Sequence, residues 1–206
     1  MIFIRNFQYC LFHVCYITTS MSATLLIPLD GTKYIDPNFH PSLKILEKKV
    51  SISESFDDYK RLDELYKAKL FQRELINQNN IQQGNLGDCY FVSALSCIAK
   101  QPYLIKNFFE TDLPDNILGP IDDSVNIECG AVVVYFNAYG RLIPVLIDTL
   151  MKVKNGRLRF CSPSDPSKSP WFCLVEKAYA KLNGSYSNIS GGLFYNGIYS
   201  LLGYYP

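Results

Sequence analysis

The chain has 206 residues, of which 20 are basic and 19 acidic, so its formal net charge is +1. Hydrophobic residues make up 48% and aromatic residues 14%, which is enough to fill one substantial domain or two small ones and excludes a disordered chain. The balanced charge gives no electrostatic attraction to nucleic acid or to an anionic membrane surface, so we expect neither partner.

Cysteine usage bears on the compartment. Seven cysteines, at positions 10, 15, 89, 97, 129, 161 and 173, form no C-x-x-C pair. An odd number argues against a complete disulfide framework and favours a reducing, cytoplasmic (intracellular) setting.

Residues 1–41 form an N-terminal segment of uncertain status. Its first 29 residues are apolar, but Arg5, Asn6 and His13 interrupt the run, which is shorter than a membrane span and irregular for a signal peptide. A targeting segment is the less favoured interpretation. A translation start at Met21 explains the preceding twenty residues more simply.

Residues 42–79 are predicted to be a helical N-terminal region. Apolar residues recur among alternating charges, which predicts two amphipathic helices with a break near 51–55 and with Asp57 or Asp58 as the N-cap of the second. The positions that carry this pattern are Leu43, Leu46, Val50, Leu62, Leu65, Tyr66 and Leu70.

The segment from Gln83 to Lys100, QGNLGDCYFVSALSCIAK, is predicted to be a loop that enters a helix. Cys89 stands at that junction, where the positive end of the helix dipole and free N–H groups favour the nucleophilic thiolate. The side-chain amide of Gln83 and the backbone N–H of Cys89 are candidate donors to a developing oxyanion. Composition alone favours another interpretation, a buried and inert cysteine.

The following elements are predicted from local signals. Pro102 begins a short helix, and 113–123 is a loop. Two strands, 131–137 and 142–147, form a hairpin in which Pro144 implies an edge or a bulge. Asn155-Gly156 predicts a second hairpin within 152–160, so that a small antiparallel sheet results. After a proline-containing loop, a helix runs over 171–182 and ends at Asn183-Gly184.

Two motifs resemble a known family. The sequence QGNLGDC at residues 83–89 and the block WFCLVEKAYAKLNGSYSNISGG at 171–192 resemble the nucleophile segment and the second conserved block of calpains, which are papain-like cysteine proteases. Tyr90 stands where the family usually has Trp. The resemblance covers roughly residues 80–200 and implies an α+β fold, a calpain-like Cys subdomain in which the nucleophile helix packs on a small sheet.

The resemblance implies a cysteine endopeptidase in which Cys89 is the nucleophile and Gln83 serves the oxyanion hole. In calpains the His and Asn of the triad lie on a second subdomain after the G-G segment, so we expect 80–206 to be a truncated, Cys-bearing half that needs that subdomain as a partner and acts on protein or peptide substrates. A cysteine protease needs a general base close to its thiol. His13 and His40 precede the nucleophile, and His40 is a weak candidate for that base.

Other polar residues receive structural roles. We expect Lys100 and Lys177 to be helix-surface cations, and Glu176, Asn183 and Tyr186 to support the nucleophile by packing and capping. The alternative function is a non-proteolytic calpain-like binding or regulatory module. A thiol transferase related to papain, such as a transglutaminase, fits the Q-G-x-L-G-D-C spacing less well.

Calcium is expected from the resemblance, and no organic cofactor is expected. The family's ligand positions near the nucleophile hold Asn80 and Ser169 here. Calcium prefers several oxygen ligands with carboxylates among them, so two uncharged residues weaken the expectation of a metal site.

Overall fold

The structure is a computed structural model that describes residues 32–40, 58–66, 75–109, 130–138 and 141–203. Its strands are β1 (Asp58–Arg61), β2 (Ile81–Gln82), β3 (Ala131–Ala138), β4 (Arg141–Asp148), β5 (Leu150–Lys154), β6 (Arg157–Leu158) and β7 (Ser162–Pro163). Its helices are α1 (Leu62–Leu65), α2 (Cys89–Ile98), α3 (Pro102–Lys106), α4 (Trp171–Leu182) and α5 (Phe194–Leu202), with 3-10 helices at Gln78–Asn80 and Tyr186–Ile189. The helices and short antiparallel strands confirm the α+β class.

The strands form three small antiparallel sheets, where the sequence predicts one. Their orders are β1-β5-β6, β2-β7 and β3-β4. The hairpin of β3 and β4 is confirmed, with Pro144 opposite Tyr135 on a strand that pairs on one side within the described ranges. Asn155 and Gly156 have φ values of 51° and 73°, as a type I′ turn requires, so the β5–β6 hairpin is confirmed too.

The region just before the nucleophile segment departs from the prediction. Residues 58–61 form β1 and not a helix, because β5 offers an edge to which Asp58 is added opposite Val153. Asp58 is therefore no helix cap. The helix that follows, α1, has four residues, and its Glu64 side chain accepts a hydrogen bond (3.1 Å) from the Arg61 N–H. The predicted helix before Asp57, the loop at 113–123 and the proposed start at Met21 lie outside the described residues.

The core lies between α2 and α4. The residues of α2 predicted to face inward are buried: Phe91, Val92, Leu95, Ile98 and Ala99. All ten residues from Trp171 to Ala180 of α4 are buried as well. Phe91 stacks on Tyr179 with ring centroids 3.9 Å apart, which fixes one helix on the other. Gly184 has a φ of 86°, the left-handed conformation expected after a helix end.

One charged residue of α4 is buried where the sequence predicted a surface position. Lys177, expected on the surface, is 2% exposed and forms an ion pair with Asp148 at the end of β4. Its ammonium also donates to the Leu150 carbonyl at 2.7 Å. Lys177 is buried because Asp148 and this carbonyl supply acceptors inside the fold, whereas Lys100 is exposed as expected. Within the described ranges, no helix combines the length and apolar character needed to cross a membrane.

Candidate active site

The loop before α2 is held against the two residues that follow β6. The backbone N–H of Asn85 donates to the Arg159 carbonyl at 3.1 Å. A Cβ atom at Gly84 would lie 2.2 Å from the Phe160 carbonyl oxygen, so only glycine allows the two backbones to approach this closely. The preceding strand β2 pairs with β7, which fixes the other end of the loop.

Cys89 is the first residue of α2, and its side chain is exposed. The carbonyl of Asp88, at the N-cap position, accepts hydrogen bonds from the N–H groups of Phe91 (2.8 Å) and Val92 (3.1 Å). Because the first N–H groups of a helix have no partner within it, the N–H of Cys89 is a candidate donor next to the thiol. The interpretation of Cys89 as a buried residue is therefore wrong.

Gln83 lies in the same loop. Its side-chain amide donates a hydrogen bond of 2.5 Å to the carbonyl of Leu86, which is buried. An amide NH₂ group has two hydrogens, and this contact uses one of them. The pairing of Gln83 with the Cys89 N–H as an oxyanion hole stays a prediction.

The two sequence blocks meet beside Cys89. The N–H of Gly191 donates to the Gly87 carbonyl at 2.7 Å. A Cβ atom at Gly192 would lie 2.6 Å from the ring of Tyr90. The G-G segment is thus adjacent to the nucleophile loop, and the exposed side chains that follow it are Leu193, Phe194 and Tyr195.

The other three thiols in the described part of the chain differ in exposure. Cys161 and Cys173 are buried, and burial raises the pKa of each thiol well above its ordinary value. Cys97, the last residue but one of α2, is exposed. Position within a helix therefore does not protect Cys97, because that helix face lies toward solvent.

The candidate base His40 lies on a different part of the fold. Its ring packs on that of Tyr59 of β1, with centroids 5.6 Å apart. The neighbouring Phe39 is buried against Tyr186. His13 lies outside the described residues.

Two acidic residues next to the nucleophile were not singled out as a pair from the sequence. Asp88 is fully buried, and Glu176 is 2% exposed. Both oxygens of Glu176 accept from the N–H of Cys161, at 3.2 and 3.0 Å. Each residue has a sequence feature that could have drawn attention to it, because Asp88 directly precedes Cys89 and Glu176 interrupts an apolar helix. The two residues are 88 positions apart, however, and the sequence does not show that they meet.

Comparison with known proteins agrees with this geometry. The family model for calpain family cysteine proteases matches residues 34–205. The chain belongs to the calpain family. A calpain of Schistosoma mansoni is 32% identical over 165 residues, which cover 79% of this chain and 20% of that protein. The calpain-2 catalytic subunit of Gallus gallus is 34% identical over 116 residues, 56% of this chain and 15% of that protein.

A third relative has a similar overlap. Calpain-8 of Mus musculus is 33% identical over 135 residues, 65% of this chain and 18% of that protein. The chain therefore spans one fifth or less of the length of these curated relatives. Membership confirms the resemblance drawn from residues 83–89 and 171–192, and it makes the chain part of a cysteine protease family.

The positions where calpains are expected to hold calcium do not fit the ion here. The Asn80 side-chain oxygen already accepts hydrogen bonds from Ser164 Oγ (3.0 Å) and from the Asp165 N–H (2.7 Å). Its amide nitrogen is buried without a partner in the described part of the chain. Ser169 is also buried, and neither residue supplies a carboxylate. This donor set suits a neutral loop contact and not a divalent cation.

Proposed function

We propose that this chain carries the nucleophile half of a calpain-type cysteine endopeptidase. The observation that carries the proposal is the exposed thiol of Cys89 at the N-terminus of α2, beside a loop whose backbone is fixed by Gly84 and Asn85. A thiol in this position is accessible and lies at the positive end of the helix dipole.

The reaction we propose is acyl transfer to the thiol. Cys89 attacks the scissile carbonyl, the backbone N–H of Cys89 and the Gln83 amide stabilise the oxyanion, and collapse gives a thioester with release of the amine. Water then hydrolyses the thioester. A histidine oriented by an asparagine, on a further subdomain, would act as base and acid, whereas the His40 ring packs on Tyr59 of β1.

The substrates we propose are proteins or peptides, in an intracellular setting. The neighbouring G-G segment and the exposed Leu193, Phe194 and Tyr195 support an extended peptide beside the thiol. Calcium dependence is proposed for the whole protease from its family, through positions other than Asn80 and Ser169.

Complementation in trans tests the proposal. Fluorescent casein cleavage is measured for the chain alone, for a calpain whose own cysteine is mutated, and for the mixture. We expect cleavage in the mixture alone, abolished by Cys89→Ala and retained by the matched Cys97→Ala. Loss of the base normally lowers the rate by about 100-fold to 10,000-fold, so the isolated chain should remain at background.

Two results would contradict this function. Docking of the two proteins without cleavage would favour the non-proteolytic binding module. Cleavage by the isolated chain that disappears in Cys89→Ala would show that the chain contains its own base and would return attention to His40.

A further inference from the structure

Two carboxyl groups are buried together beneath the start of α2. The ligating atoms of Asp88, Glu176 and Cys161 all lie within 4.8 Å of one another. Within the described part of the chain, neither carboxyl oxygen of Asp88 has a hydrogen-bond donor from an N–H or hydroxyl group. The backbone N–H of Cys161 donates its hydrogen bonds to the carboxyl oxygens of Glu176 and not to those of Asp88.

Two ionised carboxylates in this arrangement would be strongly unfavourable. Each would have lost its hydration, and the two like charges would repel at short range. A proton on one group removes the repulsion and creates a hydrogen bond to the other, so that the oxygens of Asp88 gain the donor they otherwise lack. Burial raises the pKa of Asp88, and burial together with the charge of Asp88 raises that of Glu176 well above its ordinary value.

The local environment favours a shared proton on Glu176 over one on Asp88. Asp88 is at the N-cap position of a ten-residue helix, where the macrodipole favours a negative charge. Glu176 lies within α4 and lacks that stabilisation. A protonated Glu176 therefore donates to an ionised Asp88 while its other oxygen accepts from the Cys161 N–H.

Among the described groups that act on the pKa of Asp88 or of Glu176, none is a cation. The pKa of each thiol or phenol that faces the pair is raised, mainly by burial, so all are neutral at neutral pH: Cys161, Cys173, Tyr90 and Tyr186. The next residue on α4, Lys177, forms its ion pair with Asp148. Because these neighbours do not offset the negative charge of two carboxylates, protonation of one carboxyl group is the way in which that charge is reduced.

We propose that Asp88 and Glu176 share one proton and that this carboxyl pair positions Cys89 by joining the residue before α2 to α4. The significance of positioning Cys89 rests on the function proposed above, whereas the shared proton does not. Glu176 acts here as a positioning residue, since it reaches the thiol only through Asp88.

The shared proton is tested by stability as a function of pH, with Glu176→Gln as the matched variant. Gln donates to Asp88 and accepts from the Cys161 N–H at every pH. Because the folded-state pKa of Glu176 is raised, its stabilising contribution is complete below about pH 4.5 and is lost as the pH rises toward the folded value. Relative to the Gln variant, the wild-type folding constant should fall by up to about tenfold per pH unit in that window.

Denaturant unfolding of both full-length proteins between about pH 5 and pH 8 measures this difference. A difference that does not change with pH would show that Glu176 is ionised throughout, and the shared proton would be wrong. A stoichiometric divalent metal in the purified chain, released by Glu176→Gln, would also overturn it.

Positioning is tested by alkylation of Cys89 relative to Cys97, which is exposed on the same helix. Glu176→Ala should lower the Cys89 to Cys97 rate ratio at neutral pH by about two- to fivefold, the size of a helix-dipole effect. Glu176→Gln should restore the ratio. A ratio unchanged in Glu176→Ala would refute positioning, and equal losses in the Ala and Gln variants would refute the neutral carboxyl, while either result leaves Cys89 free to be the nucleophile.

Discussion

At the scale of single residues, the described cysteines fall into two groups by their exposure to solvent. Cys89 and Cys97 are accessible on α2, whereas Cys161 and Cys173 are buried and their pKa values are raised. Among the four cysteines in the described part of the chain, these two are the ones that a thiol reagent can reach in the folded state. Cys97 therefore serves as an internal reference, since it is an exposed cysteine near the opposite end of the same helix.

We expect Cys89 to be the most alkylation-sensitive cysteine. Its position at the helix N-terminus favours the thiolate, by about two- to fivefold over Cys97 if the dipole alone acts. Iodoacetamide labelling at neutral pH, followed by peptide mapping over time, measures each rate. Faster labelling of Cys97 or Cys173 would make the assignment of the nucleophile wrong.

Calcium should not stabilise the wild-type chain through Asn80 and Ser169. The oxygen of Asn80 holds Ser164 and Asp165, and no carboxylate is present at either position. Thermal melts with and without millimolar calcium should coincide.

The double variant Asn80→Asp, Ser169→Glu provides the matched comparison. It should melt lower without calcium, because it buries two charges in place of neutral groups, and calcium should recover the loss. A calcium-dependent rise in the wild-type melting temperature that persists in Asn80→Ala would locate a site elsewhere. A rise that Asn80→Ala abolishes would contradict the prediction.

At the scale of elements, the nucleophile loop depends on a close backbone contact. Gly84→Ala should destabilise the chain by about 1–3 kcal/mol, because the new Cβ meets the Phe160 carbonyl oxygen and one backbone has to move. Asn85→Ala is the control, since Asn85 is exposed and its backbone hydrogen bond to Arg159 remains. Urea unfolding compares the two variants, and equal midpoints would show that the loop accommodates a Cβ atom at position 84 without loss of stability.

Elements with a local cause could be predicted from the sequence. Asn155-Gly156 sets the β5–β6 turn and Gly184 follows the end of α4, because these residues adopt the required backbone angles themselves. The nucleophile helix followed from its apolar spacing. The position of Cys89 at the start of that helix followed from the turn residues before it.

Elements with a distant cause could not be predicted in this way. Strand β1 exists because β5, some ninety residues later, accepts it as a neighbour. Lys177 is buried because Asp148 meets it from another strand, and the pairing of Asp88 with Glu176 has the same origin. Helical periodicity in a single segment carries no information about such partners.

At the scale of the whole molecule, Asp148 joins three parts of the chain. Its carboxylate accepts from the Asp36 N–H (2.7 Å), from the Leu150 N–H (2.9 Å) and from the Lys177 ammonium. Asp36 in turn binds Lys181, one turn further along α4, at 2.5 Å. The segment at 32–40, the junction of β4 with β5, and α4 are thereby fixed together.

Asp148→Ala should consequently destabilise the chain far more than loss of a surface ion pair. It leaves the ammonium of Lys177 buried and unpaired, together with two backbone donors, and breaking a buried pair from one side costs about 3–5 kcal/mol. Asp63→Ala is the matched control, since its partner Lys33 is 36% exposed and such pairs contribute about 1 kcal/mol or less. Urea unfolding at neutral pH measures both.

A second substitution distinguishes two causes of this destabilisation: the unpaired Lys177 ammonium and the unpaired N–H groups of Asp36 and Leu150. If the unpaired ammonium causes most of the effect, Asp148→Ala combined with Lys177→Met should recover much of the stability, because the methionine removes the charge and keeps the apolar length of the lysine. If the double variant is no more stable than Asp148→Ala, the loss of stability comes from the Asp36 and Leu150 donors instead. A cost for Asp148→Ala no larger than that of Asp63→Ala would show that this network does not hold the three parts together.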